Sequence, residues 1–440
     1  MLNLYGGICN NLCNSFKAYI GPMLPVQTSW TAAERFMFRF AFLYFLLFVL
    51  SFSFPHPLLP DIGKYTAPFF EWLVGLVGPL FFGKGETFTK RLISDSSGFY
   101  IHALLLVLIS LVIASVWAVI DRRRKSFTVW YYWFLVMVRY YLAIQLLMYG
   151  LSKIFKWQFY LPEPNTFFTS LGQTNKDLLY WSIMGVSRSY SIFTGCAEVL
   201  AACLLLFKRT TLLGALLSIF VLVNVLAINF SFDISVKLYS CFLLCLAVVL
   251  IVPYCRALYC FFVKHGTETL RQWKPAYQNK KHRWLYVSAK TLLLIFICVD
   301  AFYIYWKANN FNDDAAFRPP LHGAYEVTTF VQNGDTMPPL LTDTLRWRRV
   351  FIHRKGYLIV QKMNDEMKDH QLAYDTVNQQ LYIKQHQNIS EIIFDYKKLT
   401  DTTLFLSGMY DNDTLNIFLK KIDLEQLPLL QKGFHWTIDQ

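Results

Sequence analysis

The stretch Ile101-His-Ala-Leu-Leu-Leu-Val-Leu-Ile-Ser-Leu-Val-Ile-Ala-Ser-Val-Trp-Ala-Val-Ile120, followed at once by Asp121-Arg-Arg-Arg-Lys125, decides the fold. About 20 apolar residues at 1.5 Å each make a helix as long as a bilayer's hydrocarbon core is thick. A knot of cations directly after such a run marks the cytoplasmic side of a membrane. Similar apolar runs recur near 36–54, 128–150, 190–207, 211–229, 236–254 and 287–306, so with 101–120 the sequence predicts seven spans. An eighth stretch, Ala67–Phe82, is shorter and carries Glu71, Gly75 and Gly78. It reads as an interfacial or re-entrant segment rather than a span.

The other loop charges agree with this count. Lys208-Arg209 follows the fourth run, and segment 254–286 carries Arg256, Lys264, Arg271, Lys274, Lys280, Lys281 and Arg283. All three basic loops then fall on one side, which places the N-terminus in the cytoplasm and the C-terminal region outside. Trp130-Tyr131-Tyr132-Trp133 and Tyr303, Tyr305 and Trp306 stand at span ends, where interfacial aromatics belong. Residues 1–35 lack a continuous apolar core, so the first span is expected to act as its own insertion signal.

Composition supports the same class. The 440 residues are 55% hydrophobic and 18% aromatic but only 16% charged, against roughly 25% charged in soluble domains. That excludes a disordered chain, a collagen, a disulfide-rich miniprotein and an ordinary soluble enzyme. The net charge of +13 is unevenly spread. Residues 1–306 hold 27 Lys and Arg against 12 Asp and Glu, whereas residues 307–440 hold 15 against 17.

The texture changes near Asn310. Ala324–Val331, Val350–Ile352, Tyr357–Lys362, Leu381–Lys384, Glu391–Tyr396, Thr403–Leu406 and Leu415–Lys420 are rich in β-branched and aromatic residues, and several alternate apolar with polar. Asn333-Gly334-Asp335, Ser407-Gly408 and Asp411-Asn412-Asp413 are turn signals. The expected architecture is therefore an α-helical polytopic membrane bundle over 36–306 plus a small antiparallel all-β domain over 310–440. Either a sandwich or a barrel satisfies this pattern. All nine cysteines lie outside 310–440. Cys196 and Cys203 are seven residues apart, about 10.5 Å along a helix, too far for a disulfide. The membrane cysteines read as small packing residues.

Ionisable side chains inside spans are costly and are functional candidates by default. Arg139 sits near the middle of the third span and Glu198 near the middle of the fourth. Their similar depth and opposite charge predict an ion pair, either as a functional couple or merely to fix helix register. Lys153 lies fourteen residues beyond Arg139, within 40° of the same helix stripe. Asn224 and Asn229 follow in the fifth span, with Asp233 and Lys237 in the next turn. Together they are expected to line a polar, outward-opening cavity, although Lys153 and Lys237 are equally readable as snorkelling anchors. Lys290 and Asp300 are weaker candidates, and His102 reads as interfacial. No zinc spacing, phosphate loop, HExxH or GxSxG occurs. The basic residues flank the spans, so anionic lipid headgroups explain them better than nucleic acid does.

Arg139-Tyr-Tyr-Leu-Ala-Ile-Gln-Leu-Leu-Met-Tyr-Gly150-Leu-Ser-Lys153 resembles the opening signature of DoxX-like membrane proteins, an arginine-led helix ending in Gly-x-x-Lys. Phe193-Thr-Gly195-Cys-Ala-Glu198 and the aliphatic run to Phe207 resemble that family's second signature, and Arg209-Thr-Thr-Leu-Leu-Gly214-Ala resembles its next helix start. The resemblance covers about 128–255 and implies a four-helix membrane unit. Relatives include the DoxD-type subunit of thiosulfate:quinone oxidoreductases and MauE-like proteins linked to disulfide formation. The chain departs from them in its extra spans, its β domain and the lack of a CxxC pair.

Two functions follow as expectations. In the first, the chain is a component of a membrane oxidoreductase. Arg139 and Lys153 then hold a quinone or small anion, with Asn224, Asn229, Asp233 and Lys237 lining the site. Glu198 orients Arg139 or relays protons. In the second, the membrane body anchors a β domain that binds a ligand or a protein partner outside a plasma or bacterial inner membrane. Transport of a small anion is a third.

Overall fold

The computed structural model describes residues 30–52, 57, 58, 60–83, 88–266, 280–384, 391–431 and 437. The expectations for residues 1–29, including Cys9 and Cys13, lie outside these residues, as does much of the basic segment 254–286. The chain forms two compact units, Met1–Phe155 with Ile192–Phe311, and Lys156–Ser191 with Asn312–Gln440.

The first unit is helical, with α1 at Ala32–Ser51, α2 at Ile62–Val77, α3 at Ser97–Ile120 and α4 at Thr128–Ile154. In the other unit lies α5, Lys176–Val186, followed by α6, Arg188–Leu206, which runs into the helical unit. Then come α7 at Thr211–Ser231, α8 at Lys237–Ile251, α9 at Cys255–Phe262 and α10 at Lys280–Lys307. Six helical segments are long and apolar enough to cross a membrane: Ser97–Ile120, Thr128–Ile154, Arg188–Leu206, Lys208–Ser231, Lys237–Phe262 and Arg283–Lys307. They correspond to the second to seventh runs of the sequence.

The first run differs, because α1 begins earlier than expected and adds Glu34 and Arg35 to the Arg39 already within that run. A capping box of Thr31 and Glu34 starts it there. Arg39 is buried. Its guanidinium lies over the Phe127 and Trp117 rings and donates to the Asp121 carbonyl at the C-terminal end of α3. These cations serve a helix end, so α1 is less apolar than the other six. The Ala67–Phe82 stretch is part of α2, which starts at Ile62 because Asp61 caps it and accepts from the Lys64 amide. Sixteen residues reach about 24 Å, short of a span. One side of α2 packs Val74 against Ile101 and Leu105 of α3, while Tyr65, Phe69, Trp72 and Leu76 are exposed along the other at helical spacing.

The aromatic excess is spent between α1, α4 and α8. Phe48 stacks on Phe242 with centroids 3.9 Å apart, and Phe52 stacks on Tyr239 at 4.9 Å. Phe45 meets Tyr141 edge-on at 5.8 Å. Such pairs add about 1 kcal/mol each beyond area burial.

In the second unit, residues 323–422 form an antiparallel meander. Its strands are β1 Gly323–Gln332, β2 Asp335–Thr336, β3 Trp347–Ile352, β4 Tyr357–Lys362 and β5 Met367–Asp375. It continues with β6 Gln380–Lys384, β7 Glu391–Lys398, β8 Thr403–Tyr410 and β9 Asp413–Ile422. Apart from the two-residue β2, which pairs only with β1, each strand pairs with the next, and β9 closes onto β1. The result is an eight-stranded barrel rather than a sandwich. Alternate residues point inward and fill it: Val350 and Ile352, Leu358 and Val360, Leu381 and Ile383, Phe394 and Tyr396, Leu404 and Leu406, Leu415, Ile417 and Leu419.

Asn333-Gly334 and Asp411-Asn412 are two-residue hairpin turns in left-handed backbone, as their composition predicts. Ser407-Gly408 is not a turn. It lies inside β8, where a Cβ on Gly408 would sit 2.5 Å from the Ile393 carbonyl oxygen. Only a residue without a side chain permits that strand approach. Strand β5 escaped the sequence reading because its inward residues include His370, whose Nε2 lies 3.3 Å from the Tyr410 hydroxyl.

The barrel unit is larger than 310–440, because residues 156–191 belong to it. Phe168 stacks on Phe351 at 5.5 Å and covers an outer patch with Ala324 and Ile359. Replacing Phe168 by Ala should therefore destabilise this unit by about 2 kcal/mol, read as a lower melting temperature and faster proteolysis between residues 156 and 191.

Candidate functional site

Two glycines set the geometry of the central helices. A Cβ on Gly150 of α4 would lie 2.7 Å from the Gly195 carbonyl oxygen of α6, and one on Gly195 would lie 2.6 Å from the Gly150 oxygen. The backbones therefore touch, as small residues allow. Gly150 also meets Val199, while Gly195 meets Lys153 and Ile154, so the helices run antiparallel. Helical side chains lean towards their own N-termini. In an antiparallel pair these directions converge, which brings Lys153 to Glu198. The Lys153 ammonium donates to Glu198 Oε1, and both residues are buried.

This corrects the expected pairing of Glu198 with Arg139. Similar depth along the sequence was the wrong criterion, because the glycine contact decides register and a long lysine reaches across it. Glu198 Oε2 has no hydrogen-bond partner among the described residues. Gln145, one turn below Tyr149 on α4, is fully buried with neither amide atom bonded. Tyr149 lies within electrostatic reach of Glu198, Tyr141 and Tyr239, and the Tyr141 and Tyr239 hydroxyls are 3.0 Å apart. Tyr141, Gln145, Tyr149 and Lys153 thus form a polar file at four-residue spacing on α4.

Arg139 lies elsewhere. It is buried, donates from Nη1 to the Thr211 hydroxyl at 3.3 Å, and lines a separate crevice with Tyr132, Lys208 and Tyr254.

The remaining candidates do not share one cavity. Asn229 is buried and donates to the Ser240 hydroxyl at 2.7 Å, tying α7 to α8. Asn224 sits on an exposed face of α7. Asp233 is exposed and accepts from Lys237 at 2.7 Å. Asp95, unmarked in the sequence, accepts the Lys237 and Leu238 amides and so caps α8 from 142 residues away. Asp300 is buried and accepts the Leu58 amide at 2.9 Å. His102 is fully buried against the Phe70 and Phe99 rings.

A second polar cluster, in the barrel unit, went unseen in the sequence. Arg354, at the β3–β4 turn, donates to Glu163 at 2.5 Å, to Asp313 and to the Leu161 carbonyl at 2.7 Å. His353 Nε2 lies 2.7 Å from Asn165 Oδ1. Lys156 is fully buried and donates to the Gly185 and Met184 carbonyls at the C-terminal end of α5. Burial pushes the Lys156 ammonium down and Asp314 opposes that. Burial pushes the Glu163 carboxyl up, but His322 at 3.6 Å and the Arg354 guanidinium outweigh it and hold it at about 2. These contacts clasp residues 156–191 to the barrel. They satisfy one another, which marks a structural clamp. Among the described residues no group of three or more His, Cys, Asp or Glu could hold a metal ion.

The chain is 34% identical over 113 residues to the Bacillus subtilis (strain 168) protein named "Uncharacterized protein YwoB", covering 71% of that protein and 26% of this chain. The chain belongs to the YwoB family. No family model matches the chain, and no solved structure does. The YwoB name carries no activity, so chemistry must be argued from the residues.

Removing one partner of a buried ion pair strands the other. Lys153→Met should cost about 3–5 kcal/mol, while the double variant Lys153→Met/Glu198→Gln should recover most of that loss, as read from thermal melts in detergent. For the clamp, Glu163 has a folded pKa below its ordinary 4.5. Its contribution of about 3 kcal/mol is then complete above that value and fades as pH falls towards 2. Glu163→Gln should remove this acid-side loss from the melting profile of the barrel unit.

Proposed function

We propose that this chain is an integral membrane protein whose helical unit handles protons at Lys153 and Glu198, as the quinone-linked component of an envelope oxidoreductase of the DoxX-like kind. The membrane reading is supported by apolar surface where water would disfavour it. Leu108, Val112, Val116 and Val119 are exposed along α3, and Leu292, Ile295 and Val299 along α10. The aromatic side of α2 suits a headgroup boundary.

The topology reading has independent support. Residues 156–191 and 312–440 fold as one unit, so both must lie on the same side of a bilayer. Four of the apolar segments separate them, an even number. With the basic loops in the cytoplasm, this unit is outside.

The proton reading rests on one observation, the buried Lys153–Glu198 contact with Glu198 Oε2 left over. A quinone takes up two protons with two electrons and returns them on oxidation. Glu198 can take a proton released by a quinol onto its unbonded Oε2 while Oε1 keeps its bond from Lys153, and can return that proton when a quinone is reduced. Tyr149, Gln145 and Tyr141 extend polar groups away from it along α4. Glu198→Gln should keep the fold, because the amide still accepts from Lys153, yet lower thiosulfate-dependent reduction of a soluble ubiquinone analogue about a hundredfold. Full turnover with an unchanged melt would end this assignment.

One observation favours the second reading, a membrane body anchoring a partner-binding β domain. The barrel interior is filled by its own side chains, whereas Leu340, Leu341 and Leu345 are exposed between β2 and β3. That surface suits a protein partner outside the barrel rather than a ligand within it. Leu341→Glu would then weaken co-purification of such a partner while leaving quinone-linked turnover intact.

A further inference from the structure

The crevice beside Arg139 holds a concentration of positive charge that the proton reading does not use. Arg139 is more than nine-tenths buried, and its Nε has no hydrogen-bond partner. Lys208 directs its ammonium over the Tyr132 ring at 5.3 Å, and its Nζ is buried with no hydrogen-bond partner. Lys290 lies 5.6 Å over the Phe207 ring, close enough to both cations to feel their charge. Among the described residues none of the three forms an ion pair with a carboxylate. By contrast Lys153 and Lys156, the other buried lysines, each have one.

Three converging cations without an anion are costly in an apolar setting. Cation–π contacts with tyrosines soften this cost, but each is worth only about 1–2 kcal/mol. Arg139 and Lys208 face a cavity of about 50 Å3 that Tyr132, Thr211, Pro253 and Tyr254 also line, while Lys290 lies outside its lining. One water needs only about 10–15 Å3, so the space admits a small polyatomic group. A guanidinium fork beside an ammonium favours tetrahedral oxyanions. Leu135, Val136 and Leu250 supply apolar walls next to the polar floor.

We propose that this crevice is a binding site for a phosphate group, with Arg139 and Lys208 contacting its oxygens, Thr211 fixing the arginine, and Lys290 adding charge. The chemistry fits a phosphate on an anionic lipid headgroup or a free phosphate ester. The apolar walls favour the lipid. The site is separate from Glu198, and its test does not depend on proton chemistry.

The test uses the full chain, delipidated in a neutral detergent, with native mass spectrometry and melting curves as readouts. It is titrated with phosphatidylglycerol, with phosphatidylcholine, and with inorganic phosphate. Phosphatidylglycerol should bind at one tight site. Lys208→Gln should weaken that site at least tenfold and Lys208→Arg should restore it, whereas Lys264→Gln, remote from the crevice, should leave it unchanged. If inorganic phosphate alone protects and Lys208→Gln abolishes this, the site stands with a soluble phosphate ester as its ligand. Equal binding by Lys208→Gln and the native chain, or no protection by either phosphate source, overturns the proposal. Arg139→Lys serves as a second variant, expected to lose affinity while melting like the native chain.

Discussion

The helical unit depends on one contact, the touch of Gly150 on α4 against Gly195 on α6. Apolar helices have little reason to prefer one register over another, since most rows of leucine and valine pack about equally well. Two glycines that let backbones meet remove that freedom. Once the helices are locked antiparallel at this point, the lean of helical side chains brings Lys153 and Glu198 together. Any larger residue at either position would push the helices apart and leave two charges buried without each other. Gly214, which packs against the backbone of Leu204 and Leu205, does the same for the turn from α6 into α7.

The two polar sites that result have opposite characters. At Lys153 and Glu198 the charges cancel, so the cost of burial is met internally. Around Arg139, Lys208 and Lys290 the charges add, so the site calls for an external anion. Separation of the two follows from helix direction. Arg139 and Lys153 share a stripe of α4, but fourteen residues is about 21 Å along a helix. Arg139 therefore meets the start of α7 at Thr211, while Lys153 meets the middle of α6.

The barrel unit shows a comparable dependence on a distant segment. Strand β4 is buried at four consecutive positions, and β3 ends in three. A half-exposed barrel wall would alternate. The outer residues Phe351 and Ile359 are dry because Phe168 lies over them, and Phe168 stays there because Arg354 holds Glu163 and Asp313. The barrel and the loop between two long helices thus fold as one body, although the 120 residues 192–311 separate its two parts in the chain.

Much of this architecture was legible in the sequence for simple reasons. Long apolar runs and basic turns are one-dimensional signals, and so is the two-residue alternation of Leu415, Ile417 and Leu419 against polar neighbours. Asn333-Gly334 and Asp411-Asn412 announced hairpins because left-handed backbone favours those residues. The unbroken Val350-Phe351-Ile352 run hinted at a covered outer face, but nothing local named residues 156–191 as the cover. Glu198, Lys153 and Arg139, all three buried, also stood out, since charges are scarce within apolar helices. Their partners were not. Which cation meets Glu198 depends on helix register, which a glycine contact sets across 45 residues of chain, and the gathering of Arg139, Lys208 and Lys290 depends on three helices converging. Composition and periodicity determined what kinds of element this chain forms, because they act through neighbours in sequence. Only the tertiary structure decided which charges neutralise one another and which gather without a carboxylate among the described residues, because electrostatic pairing acts through distance in space.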